Sequence, residues 1–479
     1  MKNFLLVLFF LLFSAKIFAQ QFSQYNTGTL YDAFENPSQR AFIPDTSKKF
    51  ASNFFIPSFN LNFFLSGDAQ ATLKTRAFLY NYNNSDLKIG QGDRFNRINE
   101  NANVYILMLR MFSSLNGDEE MGFSWQLKSD GKGVLTDESI AAFNGPGSFK
   151  DGQLYSNIFN SRYYYQTYHQ ISFTYREKFN KQFSFGVKLS ALLGVQYQKL
   201  NITGSEAEFN KITDSAVVAL RGTYYSGFVP GHFVARDYLP SLRSPGASIS
   251  IGTTYRTEDS FILQGNIKDL GFIHWSSRSD VYNFDNTTII GGLATPNRED
   301  SIYNKLTPLI HNNGIRGSFT TPIDGVAELS VNKSFWIDDD HIFKYSPTAV
   351  ISKELFYEGF VGALVNPFQY QKYVATLTTT YDDLKTFNLG LQLMMKTPNW
   401  EFYIGSDKLT HTVSLASEVF NKNAPNISAN GGYTGANLFL GFTMKFGPIV
   451  EHPMNASTIP TGEKGFLGRL WGRLFKTDN

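Results

Sequence analysis

The sequence predicts an all-β protein: a transmembrane antiparallel β-barrel of about 14 strands, with an N-terminal plug-like segment and a C-terminal amphipathic helix. Three observations predict it. Aromatic residues make up 16% of the chain (45 Phe, 25 Tyr and 5 Trp), whereas charged residues make up only 18%. Apolar and polar residues alternate with period two along many segments. No segment beyond the first 19 residues approaches the ~18 consecutive apolar residues of a spanning helix, so strands remain as the crossing element. A length of 479 residues suggests roughly three soluble domains, which this composition argues against. The mean hydropathy of -0.22 reads instead as the average of an apolar-out, polar-in wall. The absence of Cys excludes disulfide scaffolds, thiolate metal sites and cysteine nucleophiles.

Residues 1–19 read as a secretory signal peptide. Lys2 supplies the positive start, Phe4–Phe13 is an unbroken apolar run, and Ala19 is a small residue at the expected cleavage point. The run is half the length of a transmembrane anchor. Export implies a Gram-negative outer membrane reached through the Sec pathway. Cleavage removes Lys2 and Lys16 from the 43 basic residues and no acid, leaving 41 of each sign. A neutral chain has no electrostatic footprint for nucleic acid.

The alternation is clearest over Gln182–Gln198. Phe183, Phe185, Val187, Leu189, Ala191, Leu193, Val195 and Tyr197 share one face, and Gln, Ser, Gly and Lys dominate the other. Such a strand spans ~55 Å, too long for an ordinary soluble sheet. Its apolar face begins with two Phe and ends with Tyr, as an aromatic girdle requires. Ser58–Leu65 alternates likewise, with Phe59, Leu61, Phe63 and Leu65 against Ser58, Asn60 and Asn62. The pattern returns at Ile171–Tyr175, Ile249–Tyr255, Leu329–Val331, Phe387–Met395, Trp400–Ile404 and Leu438–Phe446. Short polar turns such as Glu177–Lys181, Thr257–Ser260 and Pro398–Asn399 separate some runs. Residues 113–165, 201–245 and 276–313 read as long loops. Short turns on one side and long loops on the other mark an outer-membrane barrel, with an even count of ~12–16 strands. A soluble β-sandwich would have shorter strands.

The wall is expected over residues 54–447. Residues 20–53 carry little alternation, and either plug the lumen or lie in the periplasm. Residues 448–479 leave the barrel, broken by Pro448, Pro453 and Pro460. In this tail Phe466, Leu467, Leu470, Trp471, Leu474 and Phe475 fall on one helical face, with Arg469, Arg473 and Lys476 off it. This amphipathic helix either docks to a periplasmic partner or the inner leaflet, or folds back on the barrel mouth.

Gln21-Phe22-Ser23-Gln24-Tyr25, followed by Glu35-Asn36-Pro37-Ser38, resembles the opening of a large group of Bacteroidota outer-membrane barrels. That group includes the PorV-like and PorP/SprF-like proteins of type 9 secretion and gliding, themselves similar to FadL-like transporters. Ile267-Lys268-Asp269-Leu270-Gly271-Phe272-Ile273-His274-Trp275 and Tyr403-Ile404-Gly405-Ser406-Asp407-Lys408-Leu409-Thr410 resemble a Bacteroidota barrel family of the DUF type. The resemblance implies a FadL-like barrel and no enzyme. The leading functional reading is an accessory or scaffold subunit of an envelope complex, in type 9 secretion, gliding or barrel assembly, with the C-terminal helix as its periplasmic handle. The alternative is a FadL-like transporter of hydrophobic small molecules. Expected partners are outer-membrane lipid and other envelope proteins.

Candidate chemistry is sparse. The seven His are widely spaced, no HExxH occurs, and no metal or other cofactor is expected. Asp338-Asp339-Asp340-His341 reads as a solvated turn because it lacks EF-hand spacing. Asp407, Thr410 and His411 form a polar patch whose adjacency does not make a nucleophile and base. Asp269 and Gly271 are the candidate strand kink and lateral gate, Gly permitting a bulge or close backbone approach.

Overall fold

A computed structural model describes residues 22–41, 48–79, 86–112, 118–227, 235–356, 359–382, 386–420 and 432–449. The signal segment and the helix carrying Phe466, Leu467, Leu470, Trp471, Leu474 and Phe475 lie outside the described residues.

Alternation makes strands, and the strands close into one antiparallel barrel of 14. In chain order they are β1 (Lys48–Ser52 and Ser58–Ser66), β2 (Phe95–Phe112), β3 (Glu119–Thr136), β4 (Arg162–Lys178) and β5 (Phe183–Asn210). Then come β6 (Ser215–Ser226 and Pro245–Arg256), β7 (Phe261–Trp275 and Asp280–Gly291) and β8 (Gly314–Arg316, Phe319–Pro322, Val326–Lys333 and Phe335–Trp336). The last six are β9 (Phe343–Tyr345 and Thr348–Glu354), β10 (Phe360–Tyr370), β11 (Tyr373–Asp382), β12 (Phe387–Lys396), β13 (Trp400–Ser406) and β14 (Tyr433–Ile449). Both halves of β1 pair with β14 on one side and β2 on the other, which closes the ring and leaves no free edge. Asn53 bridges the gap in β1, its Oδ1 accepting the Met108 N–H at 2.7 Å and its Nδ2 donating to the Tyr105 carbonyl at 3.2 Å.

The pleat sorts residues as a membrane barrel must. Leu61, Leu189, Ile351, Leu393 and Leu438 are exposed outward, while Asn60, Gln126, Gln170, Ser172, Thr378 and Gln392 are buried toward the lumen. One end has short turns and both ends of the wall, with Lys48 opposite Ile449. This is the periplasmic end. Its rim carries aromatic rings capped by lysines: Lys333 over Phe261 at 4.3 Å, Lys344 over Trp336 and Lys372 over Tyr373. Amphipathic pairs of this kind suit a membrane–water interface.

The wall is lopsided. β5 has 28 residues, ~90 Å along the chain, far more than an apolar band ~25 Å tall needs. Its upper part, with β6 and β7, therefore stands outside the membrane as a sheet with its own core. Phe209 stacks on Phe149 at 3.9 Å, and Val218, Leu220 and Phe284 pack with Ile302 and Leu309. The last two come from the helix Arg298–Ile310, whose first turn carries Glu299 and Asp300 at the positive end of its dipole.

Three expectations change. Residues 113–165, 201–245 and 276–313 are not loops throughout: they contain β3, the outer half of β6 and the outer half of β7. Glycine and charge dilute the pattern there, because β3 lines a polar lumen and the other two stand outside the lipid. The wall begins at Lys48 rather than 54, because Phe50–Ser52 already pairs with Met111–Leu109. Tyr197 is not lipid-facing. Thr167 pairs with Gln196 but Tyr168 pairs with Gly194, so Val195 bulges and reverses the faces beyond it. Tyr197 is 4% exposed and its ring lies tilted against that of Trp275 at 5.3 Å.

Candidate functional site

Residues 22–41 run through the lumen. Helix α1 (Leu30–Glu35) is started by Thr29, whose hydroxyl accepts the Asp32 N–H at 3.3 Å. Its apolar side, Leu30, Tyr31, Ala33 and Phe34, packs on Tyr105, Met108, Met394, Tyr403 and Phe439 of the wall.

The rest of the segment is held by polar contacts. Asp407, the first residue of the external loop after β13, accepts the Phe22 N–H at 3.1 Å and the Ser23 hydroxyl at 2.6 Å. Gln24 donates to Gln392 at 2.6 Å, and Lys396 donates to the Thr27 and Gly28 carbonyls at 2.5 and 3.1 Å. Fully buried Arg110 pairs with Glu120 at 2.8 Å and donates to the Ala33 carbonyl at 2.7 Å. Arg176 donates to the Ser38 carbonyl at 2.9 Å. Arg110 and Arg176 thus share Glu120 as ionic partner and each also satisfies a segment carbonyl, as a low-dielectric site demands.

Lumen-facing glycines make room for this segment. A Cβ on Gly186 of β5 falls 2.0 Å from the Pro37 carbonyl oxygen. One on Gly252 of β6 falls 2.3 Å from Asn36 Oδ1, and one on Gly122 of β3 falls 2.9 Å from the Phe34 ring. Glu35-Asn36-Pro37-Ser38 is therefore the part of the segment pressed against the wall.

Asp269 and Gly271 lie at a bulge in β7. Ile267 pairs with Ile251 and Leu270 with Ile249, so Lys268 and Asp269 together oppose Ser250. Asp269 takes a φ of 49°, and both charges face inward. Lys268 bonds Glu328 at 2.8 Å and Glu35 of the lumen segment at 3.3 Å. Asp269 pairs with Lys128 and, at 3.1 Å, with Lys188. Gly271 is needed for close approach: a Cβ there meets the Ala247 carbonyl oxygen at 2.3 Å.

Just beyond this bulge the wall is interrupted in three successive strands. β6 leaves its course at Gly227 and resumes after Ser244, and β7 breaks over 276–279. β8 breaks between Pro322 and Val326, where the Ile323 N–H reaches the Gly271 carbonyl at 3.1 Å. Against these breaks the interior turns apolar. Tyr164, Tyr168, Leu192, Tyr197, Ile273, Trp275 and Ile323 form one buried cluster, with the Trp275 indole N–H satisfied by Thr321 Oγ1 at 2.8 Å. A cleft of about 510 Å³ opens beside it, lined by Gly194, Gly227, Ser244 and Ser276 among others.

Burial pushes the Asp407 carboxyl up to about 6, against the hydrogen bonds from Ser23 and Phe22. Burial pushes Lys408 down to about 7, against the attraction of Asp382 and Asp407. Asp407 is thus turned toward the lumen segment, while His411 lies flat on Tyr433 at 3.9 Å. Asp338 accepts the Phe343 N–H at 2.8 Å and closes its turn. Among the described residues no three His, Asp or Glu side chains gather as metal ligands. Arg110, Glu120, Arg176 and Lys396 escaped the sequence reading, since one buried charge in a polar face has no local signature. Gly186 and Gly252, both on polar faces, were the available signal.

No curated protein matches the chain at a significant level. Among solved structures it is similar to a Pseudomonas aeruginosa FadL homologue, at 12% identity over 89% of this chain and 96% of that one, with a TM-score of 0.43. It is also similar to the Ralstonia pickettii toluene transporter TbuX, at 8% identity, 87% and 94% coverage and a TM-score of 0.42. The Pseudomonas putida toluene transporter TodX gives 7% identity, 87% and 94% coverage and a TM-score of 0.41. Residues 41–407 match the sequence model described as a family of unknown function, DUF5723, and the chain belongs to that family.

Proposed function

We propose that this outer-membrane-type barrel passes a small hydrophobic molecule between the outside and the periplasm, with residues 22–41 as a movable hatch. The observation that carries this reading is the coincidence of the buried aromatic cluster around Trp275 with wall breaks in β6, β7 and β8. A polar lumen offers an apolar solute nothing until that level. There the solute meets rings on the inside and an interrupted hydrogen-bond ladder beside them, the arrangement a sideways step between lumen and bilayer needs. Asp269 and Gly271 are the gate residues in this reading, since they set the bulge below the breaks. The hatch is suited to release because polar contacts, each replaceable by water, hold most of it. The reading as an accessory subunit of an envelope complex rests on the resemblance and on the helix expected at 466–475, which lies outside the described residues.

Locking the hatch tests the proposal. The chain has no Cys, and the Ser23 and Thr378 hydroxyls lie 2.9 Å apart. Ser23→Cys with Thr378→Cys, oxidised, is expected to stop uptake of a fluorescent hydrophobic probe into proteoliposomes, and reduction to restore it. Uptake that is the same in the oxidised and reduced forms would sink the reading.

A further inference from the structure

The cleft beside the β6 break lies on the lipid side of the wall. Residues 235–244, which precede the lower half of β6, lie outside β5: the Tyr238 carbonyl is 2.7 Å from Nε2 of His169, which is on the outward face of β4. Nδ1 of the same ring accepts the indole N–H of Trp125, another outward residue, at 3.2 Å. The short 3-10 helix Ala235–Tyr238 therefore straps the outer surface.

Its height is set by the apolar band. On β5 the outward residues Phe183, Phe185, Val187, Leu189 and Ala191 run up from the periplasmic end, and the cleft begins at Gly194. On β7, Leu270 and Phe272 are exposed outward, and the cleft begins at Ser276. On both strands the opening starts where the lipid-facing residues stop, on the external side. That is the level of outer-leaflet headgroups.

The lining matches what sits there. Arg236, Arg243 and Arg278 converge on the cleft with a single acid, Asp237, so the site carries a net charge of about +2. Leu239 lines it too and is exposed, as is the neighbouring Leu242, so two apolar side chains stand beside the three arginines. Guanidinium forks recognise phosphate oxygens in pairs, and exposed leucines at a headgroup plane reach acyl chains.

We infer that the cleft formed by Gly194, Arg236, Arg243 and Arg278 binds the phosphorylated headgroup of an outer-leaflet glycolipid, with Leu239 and Leu242 against its acyl chains. The inference does not depend on transport, since Arg236, Arg243 and Arg278 belong neither to the hatch nor to the gate. A lipid held there covers the broken stretch of β6 from the membrane side.

The test uses the full mature chain refolded without lipopolysaccharide and placed in phosphatidylcholine nanodiscs, with bisphosphoryl lipid A as probe. Lipid A is expected to bind. The triple change Arg236→Gln, Arg243→Gln, Arg278→Gln is expected to weaken it at least about tenfold, the loss of charge-assisted hydrogen bonds. Removing the phosphates from lipid A should weaken binding to the unaltered protein by a similar factor. The heat-modifiable band of a folded barrel should stay unchanged. If the triple variant misfolds, Arg278→Gln alone, at an exposed position, is expected to give a several-fold loss. Equal binding by the folded variants, or equal binding of dephosphorylated lipid A, overturns the inference. So does full displacement by millimolar inorganic phosphate or by a fatty acid, which would mark a free-anion or solute site instead.

Discussion

Gly186 of β5 and Gly252 of β6 are direct cross-strand partners, and the Asn36-Pro37-Ser38 turn of the lumen segment lies on the bare patch they make. Either Cβ would enter the turn, but not against equal resistance. Gly186 faces the Pro37 carbonyl oxygen at 2.0 Å, a backbone atom fixed by proline. Gly252 faces the Asn36 side-chain oxygen at 2.3 Å, which a rotamer change can move at the loss of its hydrogen bonds from Ser38, and only then the Ser38 backbone nitrogen at 2.9 Å.

Gly186→Ala is therefore expected to unseat residues 36–38 while leaving the barrel folded, because the added methyl points into the lumen rather than the ladder. Gly252→Ala should do so more weakly. Hydrogen exchange of the segment amides measures both: protection near Ser38 should fall by more than tenfold for Gly186→Ala and by less for Gly252→Ala. The reverse order would contradict the contact geometry.

The seating of Phe22 and Ser23 on Asp407 should depend on pH. Burial raises the carboxyl to about 6, while the Ser23 hydroxyl and the Phe22 N–H donate to its charged form and pull it down. Losing these donors lets the carboxyl hold its proton to higher pH, so ionisation favours seating and protonation below about 6 favours release. Protection of the amides at 22–24 should be lower at pH 5 than at pH 7.5. Asp407→Asn should flatten that dependence, and a slope that survives it would assign the titration elsewhere.

At the β7 bulge, Asp269 neutralises two lysines at once, with Lys188 at 3.1 Å and 1% exposed at its side chain. Asp269→Asn leaves both cations buried against an amide. Breaking a buried pair in this way costs about 3–5 kcal/mol. A lower midpoint of urea unfolding should show it, and Asp269→Asn combined with Lys188→Met should recover part of the loss. No recovery in the double variant would mean that Lys188 is not the residue left stranded.

Most of the wall was legible because lipid outside and polar side chains inside impose period two on every strand that spans the membrane. Phe183–Ala191 shows it without interruption. Legibility failed wherever a third environment intervened. The outer halves of β6 and β7 face water and a small separate core, so Ser215–Ser226 and Asp280–Gly291 carry no lipid-facing run. Tyr197 was misplaced because one bulged residue, Val195, inverts every assignment after it. The candidate site was half visible. Asp269 and Gly271 stood out through an acid beside a glycine in an apolar strand. The partners that complete the site, Lys128, Lys188, Glu35 and Glu328, lie from 59 to 234 residues away in sequence and no local pattern links them.

Val195 offers the most direct test of how the apolar cluster is made. Its bulge is what brings Tyr197 inside, where the ring meets Tyr164 at 5.6 Å, Trp275 at 5.3 Å and Phe319 at 5.4 Å. Deleting Val195 takes out the extra residue and leaves Gln196 opposite Thr167 and Tyr197 opposite Gln166, so the pairing becomes regular and Tyr197 stays inward. The cluster therefore keeps its central ring in the deletion and loses it in Tyr197→Ala, at a cost of about 3–5 kcal/mol for a large aromatic truncation. With the five native tryptophans changed to Phe, Tyr197→Trp reports the facing directly: quenching by brominated lipid should be weak both with and without Val195. Strong quenching with Val195 present would place residue 197 on the lipid face and remove the bulge as the origin of the cluster, and strong quenching only in the deletion would mean that β5 slips in register instead.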